Sequence, residues 1–174
     1  ENAIAFDEKS KAELMIAMQN ITNLDNPNSV VQMKQWLSDN GIEAESLGKK
    51  DVAAMIKDTD SDVAAALKLR LQLAKSSVKK YQAMQNAVCK DGRAHGMFQF
   101  YGANRSGRWA GRLIQLQNLP QNHMNDLADA RELVRTGDYD SLELLYDDIP
   151  DTLSQLIRTA FIARPRYKFV VSDY

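Results

Sequence analysis

The sequence predicts an α+β protein that is mostly helical. Apolar residues recur at helical spacing along most of the chain, and the longest such pattern runs from about Asp62 to Val88 without glycine or proline. Two stretches have strand character instead, the aromatic-rich Ala94–Gly102 and the apolar Lys168–Ser172. We therefore expect a helical part with one long helix, a small β arm, and a strand near residue 170.

Periodicity and capping signals place the other helices. Asn28 or Ser29 is a suitable N-cap for a helix over 30–40, and Gly41 is a suitable stop. Trp36 falls on the apolar face of that helix, which favours a role in the core over a role as a platform that a ligand contacts. The remaining helices are predicted at 7–23, 51–57, 125–135, 140–146 and 151–162.

Composition indicates a soluble globular protein. Of the 174 residues, 44% are hydrophobic and 26% are charged. The apolar runs are far shorter than the roughly 20 residues that span a bilayer, and the acidic, polar start does not resemble a signal peptide. Cys89 is the single cysteine, which excludes an intrachain disulfide. These features predict a cytoplasmic protein with no membrane partner.

The net charge of −1 conceals a strong segregation of charge along the chain. Residues 61–118 contain ten basic and two acidic side chains, whereas residues 119–152 contain two basic and nine acidic ones. If the basic block forms one face, it provides an electrostatic footprint for a polyanion.

The stretch Asn104–Pro120 is the strongest candidate for contact with nucleic acid. It combines glycines, which allow close backbone approach, with forked guanidinium donors and adjacent amides, and it contains no acid. The candidate DNA-binding residues here are Arg105, Arg108, Arg112, Gln117 and Asn118. Lys75 and Lys79 on the predicted long helix are further candidates, although a solvated lysine face explains them equally well.

Catalytic motifs are sparse. There is no P-loop, and His95 and His123 are in unrelated contexts. Asp147, Asp148 and Asp151 border a predicted helix start, which favours a structural role over metal binding. Asp173 follows an apolar strand, a common position for a metal ligand in two-metal phosphoryl transfer but also for a turn residue.

Taken in order, these residues resemble the family A DNA polymerases, the group of bacterial DNA polymerase I and its phage relatives. Ser106-Gly107-Arg108 followed by Leu116–Pro120 is similar to the family's T-G-R…L-Q-N-I-P signature, and Ile157–Phe161 is similar to its I-R-x-A-F. Asn28-Ser29, Gln32 and the Gly41-Ile42 turn resemble its thumb segment, and Leu73-Ala74-Lys75 with Tyr81 resembles its thumb helix. Phe169–Tyr174 looks like the opening of motif A.

The resemblance implies specific roles. Residues 1–103 would belong to the helical thumb and residues 104–174 to the start of the palm, with Lys168–Ser172 as its first strand. Arg108 would donate hydrogen bonds to the minor-groove edge of the DNA at the primer terminus. Gln117 and Asn118 would contact the template strand near the active site. Asp173 would be the first catalytic carboxylate and would bind the two Mg²⁺ ions. Primer–template DNA and deoxynucleoside triphosphates are the partners that this function implies, in a bacterial or phage-infected cell.

Several features depart from the usual family pattern. The proline and first asparagine of the usual motif are replaced and Arg112 is extra, and this variant looks like the phage and prophage branch of the family, with the acidic segment 121–152 as an insertion. Gln121 stands where an arginine usually contacts nucleotide phosphates. The chain stops within motif A, so we expect a fragment that is inactive alone. Two alternatives remain, a stand-alone DNA-binding module without catalysis and a helical scaffold protein that does not bind nucleic acid.

Overall fold

The computed structural model describes residues 1–59, 61–76 and 78–170. Within these ranges the chain forms eight α-helices, one β-hairpin and two short 3₁₀ turns. The helices are α1 (Asn2–Thr22), α2 (Val30–Asp39), α3 (Lys49–Met55), α4 (Ser61–Leu73), α5 (Lys79–Ala87), α6 (Leu127–Thr136), α7 (Tyr139–Leu145) and α8 (Ile149–Leu156). The strands are β1 (Phe98–Ala103) and β2 (Arg108–Gly111), and the 3₁₀ turns are Leu116–Asn118 and Ile157–Ala160.

The described residues divide into two compact units. The first, called here the helical unit, comprises residues 4–59, 61–76 and 148–151. The second, called here the hairpin unit, comprises residues 1–3, 78–147 and 152–170. Each unit has an apolar core of its own.

The core of the helical unit is built from α1, α2, α3 and α4. Its buried side chains are Met18, Met33, Leu37, Val52, Val63 and Leu67. Trp36 packs against this cluster and is partly buried, so its assignment as a core residue is confirmed. Burial of such large apolar side chains is the main favourable contribution to folding.

Helix α2 begins and ends at the positions that its sequence indicates. Ser29 has an extended backbone, and its side chain accepts a hydrogen bond from the Gln32 amide at 3.4 Å. At the other end Gly41 has a φ of +79°, and Ile42 N donates to Leu37 O at 2.9 Å. This is a Schellman motif, in which glycine adopts a left-handed conformation at low cost.

One buried apolar cluster of the hairpin unit includes residues from the segment that follows β2. Ile114, Leu119 and Ile157 are buried together, and Tyr81 and Met84 from α5 pack against them. The Tyr81 hydroxyl donates to Leu153 O at 2.8 Å, and burial raises the pKa of this phenol well above its ordinary value. Tyr81 is therefore a neutral structural donor that joins α5 to α8.

The expectation of one long helix over 62–88 was wrong. Helix α4 ends at Leu73, residues 74–76 make a tighter turn in which Lys75 N donates to Gln72 O, and α5 begins at Lys79. Helices α4 and α5 contribute to different cores, because Leu67 is buried in the helical unit and Met84 packs in the hairpin unit. Serine side chains tend to compete with the helical backbone for hydrogen bonds, so Ser76 is compatible with a break here, which the uninterrupted apolar pattern does not reveal.

The predicted strand over 168–172 is also not observed where it can be assessed. Residues 168–170 have no regular secondary structure, and residues 171–172 lie outside the described residues. The fold class itself is confirmed, since the described chain is mostly helical with a small two-stranded antiparallel sheet. None of the helices that the structure describes is long and apolar enough to cross a membrane.

Candidate nucleic-acid interface

A β-hairpin carries the first part of the candidate interface. Strands β1 and β2 are antiparallel, with Gln99 opposite Ala110 and Ala103 opposite Arg108. Between these pairs β1 has three residues and β2 has one, so the strand bulges and Tyr101 adopts a φ of +52°. The Tyr101 ring lies where a side chain at Gly107 would be, with 2.9 Å between Tyr101 Cε2 and an ideal Cβ. Gly107 also has a φ of +64°, so the turn requires glycine for two reasons.

The hairpin and the residue after it present three arginines to solvent. Arg105 lies in the turn, Arg108 begins β2, and Arg112 follows β2 directly, and all three side chains are exposed. No acid occurs from residue 92 to residue 125. Among the ion pairs that the structure records for the described residues, none involves these arginines. Their donors therefore remain available for an anionic ligand.

Two buried apolar side chains anchor the segment 112–120 to the core of the hairpin unit. Ile114 and Leu119 are 2% and 7% exposed and pack against Ile157, whereas Arg112, Gln117 and Asn118 are exposed. Leu113 and Gln115 both have a φ of +54°, which turns the backbone sharply on either side of Ile114. The burial of Ile114 and Leu119 therefore stabilises the backbone conformation of this irregular segment.

Two cations also hold this segment through its carbonyl groups. Lys80 Nζ donates to Ile114 O at 2.8 Å. Arg158 donates from Nε to Pro120 O at 2.9 Å and from a terminal nitrogen to Leu119 O at 3.1 Å. Neither role was predicted from the sequence. The I-R-x-A-F match was the available signal for Arg158, whereas nothing in the lysine-rich pattern distinguished Lys80 from its neighbours.

The amide of Gln117 lies against the backbone of Gly111. An ideal Cβ at Gly111 would be 1.9 Å from Gln117 Oε1 and 2.7 Å from Gln117 Nε2. The absence of a side chain at Gly111 therefore makes room for this amide. Asn118 Nδ2 donates to Gln115 Oε1 at 3.1 Å, which orients the neighbouring amide as well. Gly111 is a third positioning residue, after Lys80 and Arg158, that sequence reasoning did not single out.

The structure thus brings five of the predicted DNA-binding residues onto one stretch of the hairpin unit. Lys79 lies in the same unit as an exposed residue at the start of α5. Lys75 belongs to the helical unit and forms an ion pair with Asp151. Its ammonium group is already partly neutralised, which favours the structural explanation for this lysine over a phosphate contact.

The acidic residues near α8 have structural partners. Asp148 Oδ1 accepts a hydrogen bond from Asp151 N at 2.8 Å at the start of that helix. Partial burial raises the pKa of the Asp148 carboxyl above its ordinary value. Across the residues that the structure covers, no group of three potential metal ligands is clustered. Asp173, the predicted metal ligand, lies outside the described residues.

Exposed, unpaired arginines beside oriented amides are typical of a nucleic-acid-binding surface. Comparison with known proteins gives a more particular similarity. The chain is 50% identical over 175 residues to a DNA polymerase of Bacillus phage SP02. The match covers 100% of this chain but 27% of that protein, so the chain spans about a quarter of the length of the curated relative it matches. No family model and no solved structure matches the chain.

Proposed function

We propose that this chain is part of a DNA-directed DNA polymerase and supplies a surface that grips primer–template DNA. The observation that carries the proposal is the Arg108 hairpin followed by a segment whose anchors face inward while its arginine and amides face outward. The similarity over the whole chain to a phage protein named as a DNA polymerase supports it. The whole enzyme would be a nucleotidyltransferase that takes deoxynucleoside triphosphates as substrates.

Within this proposal the polymerase belongs to family A. Residues 1–103 are the thumb-like part and residues 104–174 are the start of the palm, as the resemblance implies. The β-hairpin spans this proposed boundary, and both of its strands lie in the hairpin unit. We expect the enzyme to act in the cytoplasm of a bacterial or phage-infected cell.

The contacts follow from the chemistry of each side chain. Arg108 would donate to minor-groove acceptors, which every base pair presents, so that pair geometry is tested without reading sequence. Gln117 and Asn118 would donate and accept at the template strand next to it. Arg105, Arg112 and Lys79 would neutralise phosphates, which contributes affinity and salt dependence.

Catalysis would need a group of metal-binding carboxylates, which the described residues do not bring together. We propose Asp173 as one ligand of two Mg²⁺ ions, on the strength of the motif A resemblance. When bound, these ions would activate the primer 3′-hydroxyl and stabilise the leaving pyrophosphate. Two-metal chemistry requires more than one carboxylate, and no step is assigned to the residues described. We expect residues 1–174 alone to bind DNA without extending a primer.

Fluorescence anisotropy with a labelled primer–template duplex at several salt concentrations tests the proposal. Neutralising the three phosphates assigned to Arg105, Arg112 and Lys79 predicts a log–log salt slope of about −2.7, from roughly −0.9 per phosphate. Arg108→Ala should weaken binding with little change in that slope, because its contact is with base edges. Arg131→Ala is the matched control, since Arg131 is an exposed arginine on helix α6, outside the hairpin and the segment 112–120. Absence of binding by folded protein, or an equal loss in both variants, would count against a DNA-gripping surface.

A stand-alone DNA-binding module without catalysis is the second candidate, because the unpaired arginines alone are sufficient for it. Asp173→Asn in the complete reading frame separates the two. The polymerase proposal predicts loss of nucleotide incorporation with duplex affinity preserved, and the module predicts that no incorporation occurs before or after the substitution.

A further inference from the structure

The β-hairpin exposes aromatic surface that the proposed polymerase contacts do not use. Phe100 is 71% exposed and Trp109 is 63% exposed. The two rings contact each other edge to face, with 5.2 Å between centroids and 71° between planes. Aromatic pairs contribute most to stability when they are buried, so an exposed pair is a candidate interaction surface.

The backbone holds this pair in place. Trp109 lies opposite the three-residue bulge of β1 that contains Phe100, and the rings of these two residues are in contact. Gly102 belongs to the same bulge, and a Cβ there would be 2.5 Å from Ala110 Cβ, so the absence of a side chain lets the two strands approach closely at this point. The pair is thus a feature of the hairpin geometry and not a chance meeting of two side chains on a loop.

The charge around the rings restricts the ligand. Arg105 and Arg108 both precede Trp109 in sequence, in the turn and at the start of β2. Both are exposed, and no acid occurs between residues 92 and 125. Flat apolar surface combined with unpaired guanidinium groups fits a ligand with flat faces and negative charge. Single-stranded nucleic acid has both, because its bases are free to leave the stack and its backbone is anionic.

We propose that Phe100 and Trp109 form a stacking platform for an unpaired base of single-stranded DNA. The inference deepens the proposed function and rests on it. A base within a duplex is covered on both faces by its neighbours, so the platform distinguishes a single strand from the duplex. It would hold an unpaired strand close to the duplex that the arginines and amides grip.

Tryptophan fluorescence tests the platform directly. The chain has two tryptophans, and Trp36 packs in the helical unit, so Trp36→Phe leaves Trp109 as the single indole. Stacking of thymine on Trp109 should quench its fluorescence during titration with short oligothymidylate. An abasic strand of equal length has the same phosphates and no bases, and it should bind more weakly without quenching.

A second measurement avoids the Trp36 substitution. Phe100→Ala in the otherwise unchanged protein should weaken oligothymidylate binding by about tenfold, within the range of base–aromatic stacking. Its affinity for a blunt duplex should stay within about twofold, because duplex contacts are made by charged and amide groups. Leu144→Ala is the matched control, since Leu144 is an 85% exposed apolar residue on α7, and it should change neither affinity.

The outcomes distinguish the stacking platform from the proposed binding of duplex DNA. Equal binding of abasic and thymidine strands without quenching, or an equal effect of Phe100→Ala on single strand and duplex, overturns the platform and leaves duplex gripping intact. Failure of folded protein to bind either DNA overturns both the platform and the proposed function.

Discussion

Gly111→Ala offers a sharp test of how the Gln117 amide is positioned. The new methyl group would be 1.9 Å from Gln117 Oε1 and 2.6 Å from its carbonyl carbon, so the Gln117 side chain must move. The Gly111 backbone is not in the left-handed region, and the three atoms nearest to the new methyl all belong to the flexible Gln117 side chain. The substitution therefore displaces one functional amide while the backbone of β2 stays in place.

The expected magnitudes differ between stability and binding. Because Gln117 is exposed, its displacement should change the free energy of unfolding by less than about 0.5 kcal/mol. The loss of one or two neutral hydrogen bonds to DNA is worth about 0.5–1.5 kcal/mol each, which corresponds to roughly two- to tenfold weaker binding for one bond. Anisotropy titration against the duplex at fixed salt measures the second quantity, and urea unfolding measures the first.

A double-mutant cycle isolates the mechanism. If Gly111 acts only by making room for Gln117, then Gly111→Ala should have no further effect on duplex affinity in a Gln117→Ala background. Equal losses from Gly111→Ala in both backgrounds would refute the reasoning, because the glycine would then act independently of the amide. A Gly111→Ala protein with unchanged affinity, alongside a weakened Gln117→Ala protein, would show that the amide reaches DNA from a different position.

Two further predictions concern the supports of the site. Arg158→Met removes the hydrogen bonds to Leu119 O and Pro120 O and should lower the free energy of unfolding by about 1 kcal/mol, with weaker duplex binding and an intermediate result for Arg158→Lys. An undiminished duplex affinity in folded Arg158→Met would contradict its positioning role. For Asp148, whose folded pKa is raised by burial, the ionised carboxylate is the less favoured form in the folded protein, so stability falls as pH rises from below the unfolded pKa through the folded one. Asp148→Asn should therefore raise the melting temperature at pH 7, and this gain should vanish at acid pH; an equal gain at both pH values would contradict it.

Local signals predicted the parts of the fold that depend on local interactions. Ser29 and Gly41 marked the ends of α2 because capping is decided within a few residues of the chain. Alternation and aromatic content indicated the strand before Gly102, although the Arg108 stretch was not recognised as its partner strand. The fold class followed from these elements.

The parts that failed depend on which core each segment joins. Residues 62–88 have one continuous apolar pattern, yet Leu67 and Met84 pack in separate cores, and a pattern along one chain segment contains no information about that division. Lys80 and Arg158 were missed for a related reason, since their acceptors lie 34 and 38–39 residues away in sequence. The candidate DNA-binding residues were predicted by their type, and their roles stay predictions.

The segment 112–120 contains both buried apolar residues and exposed polar ones. A search for basic residues alone would miss the buried ones. Ile114 and Leu119 face the core, and Arg112, Gln117 and Asn118 face solvent, within nine residues of irregular backbone. The inward pair determines where each outward group lies, because side chains buried in a close-packed core cannot shift freely. If this surface binds DNA as proposed, its affinity should therefore depend on Ile114 and Leu119 as well as on its arginines, although neither apolar side chain would touch DNA.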